Sequence, residues 1–136
     1  MSEINNKIPE AFNRLQEAVT EWAHEGTDYL IDQMKESMDG PKSGKIYGSH
    51  QASAPGESPA IRDRGLIDSI DRDKQFLKGT AFSRNPVAVY MEEGTKDKDG
   101  NQIVAARPLW EKTLELNRIY LKTTLYAKIK GAENHA

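Results

Sequence analysis

Apolar residues recur along the first third of the chain in alternating steps of four and three: Ile8, Phe12, Leu15, Val19, Trp22, Gly26, then Tyr29 or Leu30 and Gln33 or Met34. That spacing lays them on one stripe of a helix from Ile8 to Met38, with Pro9 where a helix can begin. Glu10, Arg14, Glu17, Glu21 and Glu25 fall largely off the stripe, so the predicted helix is amphipathic with a mostly acidic outer face. The same spacing suits a coiled coil, but a stripe of this length is taken as an ordinary core-facing helix. Gly26 marks either a kink or a close approach by another backbone.

A second long helix is predicted from Pro108 to Lys130, roughly 34 Å at 1.5 Å per residue. Trp110, Leu114, Leu121 and Leu125 share a stripe with Asn117 between them, and Leu109, Leu116, Ile119, Tyr120 and Ile129 widen it. Pro108 fits a first helical turn, where a missing N–H costs nothing. Glu111 and Glu115 near the start and Lys128 and Lys130 near the end suit the helix dipole, and Gly131 suits the position just past the end. So broad an apolar surface exceeds one packing face. It is consistent with burial against a neighbouring subunit, or with a helix at the centre of a small core.

The stretch between the helices is less regular. Residues 40–60 are dominated by Gly, Pro, Ser and Ala, with one apolar pair at Ile46-Tyr47, which predicts a mobile loop. Gly40 to Lys45 has the look of a phosphate-binding loop, but its glycine spacing is one residue short and Ile46 stands where a Ser or Thr should coordinate magnesium. Order resumes over Ile61–Ile70, where Gly65 permits a turn and Leu66, Ile67 and Ile70 supply an apolar face. After the charged Asp71–Gln75, the alternation of Phe76, Lys78, Thr80 and Phe82 reads as an edge strand or hairpin arm. Val87 to Tyr90 favours a strand or a tightly packed turn of helix; as a strand it would complete a small antiparallel sheet. Gly94 ends that run, and residues 95–104, with turn chemistry at Asp99-Gly100, predict a second mobile loop. The expectation is a single α+β domain over residues 1–136, with two long amphipathic helices packed on a small antiparallel sheet.

Composition narrows the function classes. At 136 residues the chain suits one domain burying roughly two thirds of its unfolded surface. The net charge of −2 is spread over interspersed acids and bases, with no Lys/Arg block of the kind that tracks a nucleic-acid backbone. There is no cysteine, which excludes disulfides, a thiolate nucleophile and Cys-ligated metal sites. The N-terminus lacks a basic and an apolar leader region, and no run approaches the length needed to cross a bilayer, so a soluble intracellular protein, or one of a particle assembled inside a cell, is expected. His24, His50 and His135 are far apart in the chain, no serine sits in a Gly-x-Ser-x-Gly frame, and Asp97 and Asp99 lack the later glutamate of a calcium loop because Ala106 stands there. No enzyme activity, cofactor or metal is predicted.

Three blocks occur in order: Ala54-Pro55-Gly56-Glu57-Ser58-Pro59-Ala60, then Gly65-Leu66-Ile67-Asp68-Ser69-Ile70, then Tyr90-Met91-Glu92-Glu93-Gly94-Thr95 followed by Ala105-Ala106-Arg107-Pro108-Leu109. The set resembles the PGxxPA, TGxLxxSI, YxxxxEFGT and ARPF blocks of the tail-completion or head–tail joining proteins of long-tailed bacteriophages. Arg64, Glu93 and Leu109 stand where that family usually has Thr, an aromatic residue and Phe. The resemblance implies a structural protein of the virion neck or tail, assembled in the host cytoplasm. It implies a homo-oligomeric ring, typically a hexamer, between the tail tube protein and the head connector or stopper protein, with only passive contact to passing DNA. On this reading Gly56, Pro59, Gly65, Leu66, Ser69, Tyr90, Glu92, Glu93, Gly94, Thr95, Arg107 and Pro108 form the interface or structural motif. Arg107 is expected to pair with Glu92 or Glu93, within or between subunits. Gly94, Thr95, Arg107 and Pro108 equally suit a purely structural turn and helix start. The alternative is a non-viral adaptor acting through its amphipathic helices.

Overall fold

The computed structural model describes residues 3–61 and 65–133; Arg64 and His135 lie outside them. The chain is α+β. Helix α1 (Glu3–Asp39) is followed by strands β1 (Ile46–Tyr47) and β2 (His50–Gln51), a short helix α2 (Gly65–Ser69), and strands β3 (Ile70–Gln75) and β4 (Lys78–Ser83). Helix α3 (Val87–Glu93), strands β5 (Thr95–Lys96) and β6 (Gln102–Val104), and helix α4 (Trp110–Glu133) complete it. The strands pair as three antiparallel two-stranded units, β1 with β2, β3 with β4, and β5 with β6.

Helix α1 is the centre of the molecule because two of its faces are covered by elements distant from it in the chain. The stripe read from the sequence faces α4, which runs antiparallel to it. Trp22 donates its indole N–H to the Leu121 carbonyl at 3.0 Å and to Thr124 Oγ1 at 3.1 Å, and the Tyr29 hydroxyl donates to Asn117 Oδ1 at 3.0 Å. Tyr29 also stacks on Tyr120 with ring centroids 4.1 Å apart, a contact worth about 0.5–1.5 kcal/mol beyond the area it buries. At the rim Lys128 reaches Glu21 at 2.9 Å and Glu25 at 3.2 Å. The Glu21 partner raises the Lys128 ammonium above its ordinary value, and Lys128 lowers Glu21 in return. α1 runs through Gly26 unbroken, and its neighbour there is a side chain and not another backbone: a Cβ would sit 3.4 Å from Leu121 Cδ2.

The other face of α1 receives the β3–β4 hairpin, and the sequence hid its logic. Arg72 and Ala81 are cross-strand partners, as are Lys74 and Gly79, so these four share the face turned to α1. Arg72 and Lys74 both donate to the carboxylate of Asp28, Lys74 at 2.8 Å, and these bonds, Lys74 first, hold Asp28 below its ordinary value of 3.8. The charged run Asp71–Gln75 is therefore a strand whose inward positions carry cations matched by an acid on α1. β4 is the hairpin arm expected from the alternation of Phe76, Lys78, Thr80 and Phe82, and its inward side carries Gly79 and Ala81. Phe76 and Leu77 form the turn, with Leu77 at φ +58°, and the Leu77 N–H is held by Thr20 Oγ1 at 3.0 Å.

The buried core lies toward the C-terminal end of α1, where Ile31, Met34 and Met38 meet Ile67, Ile70 and Leu109. Val87–Tyr90 is not the third strand of a sheet. Asn85 Oδ1 accepts the Val87 N–H at 3.0 Å, and Pro86 already sits at φ −58°, so the Asn-Pro pair starts α3 instead. Only Ala88 of that run is buried. The two segments expected as mobile loops contain the β1–β2 and β5–β6 hairpins. Asp97 Oδ1 closes the turn of the second by accepting the Asp99 and Asn101 amides, both at 2.9 Å. Gly131 lies inside α4 and not past its end.

A Cβ on Gly79 would collide with Thr27 Oγ1 and the backbone carbonyl of Ala23, whereas one on Gly131 meets nothing. Gly79→Ala is expected to cost about 1–3 kcal/mol through overpacking, and Gly131→Ala to stabilise by about 0.5–1 kcal/mol through helix propensity. Urea denaturation midpoints check both, and a wild-type midpoint for Gly79→Ala would refute this docking of the hairpin.

Candidate functional site

The short loops around the start of α4 converge on one junction, and a carboxylate organises it. Glu92, in the last turn of α3, accepts the backbone N–H groups of Leu109 at 2.7 Å, Trp110 at 2.8 Å and Glu111 at 3.2 Å. A helix start leaves such donors unmatched, and a negative charge there also meets the positive end of the helix dipole. Glu92 thus caps α4 from outside it. Pro108 flanks the helix and is not in its first turn, since Leu109 O accepts the first helical bond, from Thr113 at 3.0 Å. Gly94 ends α3 at φ +74° with its N–H on the Tyr90 carbonyl, a conformation that favours glycine. Thr95 begins β5, opposite Val104.

Arg107 joins this junction to the first loop. Its N–H donates to the Met91 carbonyl at 2.6 Å, and its side chain donates to Ser53 O and Ser53 Oγ, both at 3.1 Å, and to Ala105 O at 2.7 Å. The expected pairing with Glu92 is not formed within the chain, because the Glu92 oxygens are engaged by the α4 amides. Glu93 is exposed, beside Phe82, Val89 and Trp110. Tyr90 is exposed on α3.

The first block folds as a four-residue turn. Pro55 and Gly56 occupy its middle, Gly56 has φ +83°, and Glu57 N–H donates to Ala54 O at 3.1 Å, as a Pro-Gly pair dictates. Gly56 N–H then donates to Ala106 O at 3.0 Å, and Lys112 Nζ to Gly56 O at 3.2 Å, which ties the turn to the residues preceding α4 and to its first turn. The Glu57 carboxylate gathers the loop by accepting the Ala54 amide at 2.6 Å and the Ser43 amide and hydroxyl, both at 3.0 Å. The Ala54 amide, followed by that of Ser43, holds Glu57 below its ordinary 4.5. Ser58 bonds the Ser37 hydroxyl near the end of α1, and Pro59 beside it is fully buried. Lys42 Nζ donates to Ser37 O at 2.7 Å, with burial lowering its affinity for the proton.

The middle block stands apart from the junction. Gly65 opens α2, Leu66 packs against the core, and Ser69 Oγ bonds Leu66 O and Ser83 Oγ, both at 2.6 Å, which fixes α2 to β4. Two members of the junction were missed in the sequence reading. Glu57 was legible, because a Pro-Gly turn sets residues three apart side by side. Ser53 was not, since its partner lies 54 positions away.

The arrangement is one of carboxylates and a guanidinium matched to backbone groups. His24 Nε2 contacts Gln75 O at 2.8 Å, and among the described residues no group of three or more His, Cys, Asp or Glu could hold a metal ion. No helix among them is long and apolar enough to cross a membrane. No protein-family model, curated protein or solved structure matches the chain.

Removing the cap with Glu92→Ala is expected to cost about 1–2 kcal/mol, while Glu93→Ala should stay within about 0.5 kcal/mol of wild type. Equal thermal-unfolding shifts would contradict this division of labour. Because the folded pKa of Glu57 is depressed, its hold on the loop is complete above the ordinary carboxylate range and fades as the pH falls through the lowered value. The NMR shifts of the Ser43 and Ala54 amides should titrate with a midpoint below 4.5; a midpoint at or above it would refute the anchoring.

Proposed function

We propose that this chain is a structural subunit of a long-tailed phage neck, completing the tail and joining it to the connector of the DNA-filled head as part of a homo-oligomeric ring. The reading starts from the ordered sequence blocks and is supported by one observation above the rest. Two of the blocks, separated by some thirty to fifty positions in the chain, are hydrogen-bonded into a single junction through Gly56 and Ala106, and Arg107 extends it to Ser53 just before the first block. A junction built from backbone bonds and cap carboxylates suits a rigid assembly part, since each contact fixes geometry and none presents a reacting group. The ring partners on this reading are the tail tube protein on one side and the head connector or stopper protein on the other. DNA passes without specific contact, in keeping with the near-neutral charge balance.

Electron microscopy tests the proposal on lysates of a phage lacking a functional copy of this gene, with purified protein added to half of each sample. Separate DNA-filled heads and tails that join on add-back are expected. Normally joined virions in the untreated half would refute the joining role and bring forward the adaptor reading.

A further inference from the structure

We infer that the outer face of α4 pairs with the same face of a second copy of this chain, the two helices running antiparallel about a twofold axis near Thr123. The contact belongs to the free chain and stands apart from the neck reading, since a twofold contact closes at two copies and does not by itself build a larger ring.

Helix α4 is held to α1 through Asn117, Tyr120, Leu121 and Thr124, with Lys128 at the rim. At about 100° per residue, the side turned away from α1 carries Lys112, Glu115, Ile119, Tyr126, Lys130 and Glu133. All six are exposed. Ile119 is 81% and Tyr126 63% exposed, and Leu116 on their flank is 75% exposed. Exposed apolar side chains taken singly are ordinary; what singles this face out is the order of its charges.

Steps of three, four, seven, four and three separate the six positions, so the spacing is the same from either end. Turned end for end, the face lies over itself position for position. Lys112 then comes level with the partner's Glu133, Glu115 with the partner's Lys130, and Ile119 with the partner's Tyr126. The twofold repeats each match, so four pairs of opposite charge flank two apolar ones. The side chains have capacity for these contacts. Lys112 has N–H donors beyond the one on Gly56 O, and Arg118 takes Glu115 Oε1, leaving the second carboxylate oxygen for the partner's Lys130. Lys130 is drawn along the seam by the Tyr126 ring, whose centroid lies 5.4 Å from its ammonium.

Charge also rejects the other ways of pairing this face. A parallel pair in register would set Lys112, Glu115, Lys130 and Glu133 each against its own kind. Sliding the antiparallel pair by one heptad puts Lys112 opposite the partner's Tyr126 in one direction and Glu133 opposite the partner's Ile119 in the other, and the end charges lose their matches. Lys122 is the unmatched charge of the arrangement: it flanks the axis near its own counterpart, one like pair against four opposite ones. Exposed ion pairs each contribute little, so their part is to choose the partner and its direction, while the apolar centre supplies most of the affinity. One helix face from each copy is a small interface, and the association is weak and reversible.

The test is sedimentation equilibrium of the purified full chain and two double variants, each first shown by circular dichroism to melt as the wild type does. Glu115→Lys with Glu133→Lys makes all four end charges positive, and Lys112→Glu with Lys130→Glu makes them all negative. The wild type should form dimers below about 1 mM, and each double variant alone should associate about tenfold more weakly or less. Their equimolar mixture should restore dimers containing one copy of each, because every end pair is again opposite in charge. Ile119→Glu, which removes the apolar centre, should abolish the wild-type dimer. A wild type that stays monomeric to about 1 mM, association that the charge reversals leave unchanged, or a mixture that pairs no better than its components would overturn the contact.

Discussion

The structure depends on one mismatch of lengths. Helix α1 has 37 residues and α4 has 24, so at 1.5 Å per residue they measure about 55 Å and 36 Å. A chain of 136 residues has little else with which to cover so long a helix. The available elements gather at its C-terminal half, where α2, the start of β3 and the residue before α4 meet Ile31, Met34 and Met38 in the core. Farther toward the N-terminus α1 is sheathed by α4 and the β3–β4 hairpin, and near its start Ile8 and Phe12 are more than half exposed. Burial along α1 is graded in consequence, and the open end is a feature of construction.

Polar groups do the joining where apolar area runs short. Asp28 draws Arg72 and Lys74 of β3 onto α1, the rim lysine Lys128 bridges α4 to Glu21 and Glu25, and the Glu92 carboxylate accepts the amides at the start of α4. Exposed ion pairs of the first two kinds add little stability each. Their value is in setting register: the hairpin must sit where Gly79 passes the Ala23 carbonyl, and α4 must start where the Glu92 carboxylate reaches it. The junction of Glu92, Arg107 and the Pro55-Gly56 turn therefore governs where α4 begins.

Regular periodicity determined much of this from the sequence alone. Two long amphipathic helices were legible because a repeat sustained over many turns leaves no other periodic structure that buries it. The acidic outer side of α1, the turn at Pro55-Gly56 and the hairpin tip at Asp99-Gly100 were legible for local reasons, each fixed by neighbours within a few residues. Tertiary structure alone decided the rest. Val87–Tyr90 is too short an apolar run to separate strand from helix, and Asn85-Pro86 settled it as α3. The strand in Asp71–Gln75 was hidden because its inward residues are cations, which become inward-facing only when Asp28 arrives from 44 positions away to match Arg72. Arg107 was expected to pair with Glu92 or Glu93, within or between subunits; within the chain Glu92 and Arg107 each take other partners. A charged side chain takes the partner left unsatisfied nearest to it, and the unsatisfied groups here, the α4 amides and the Ser53 oxygens, exist at those places only once the chain has folded.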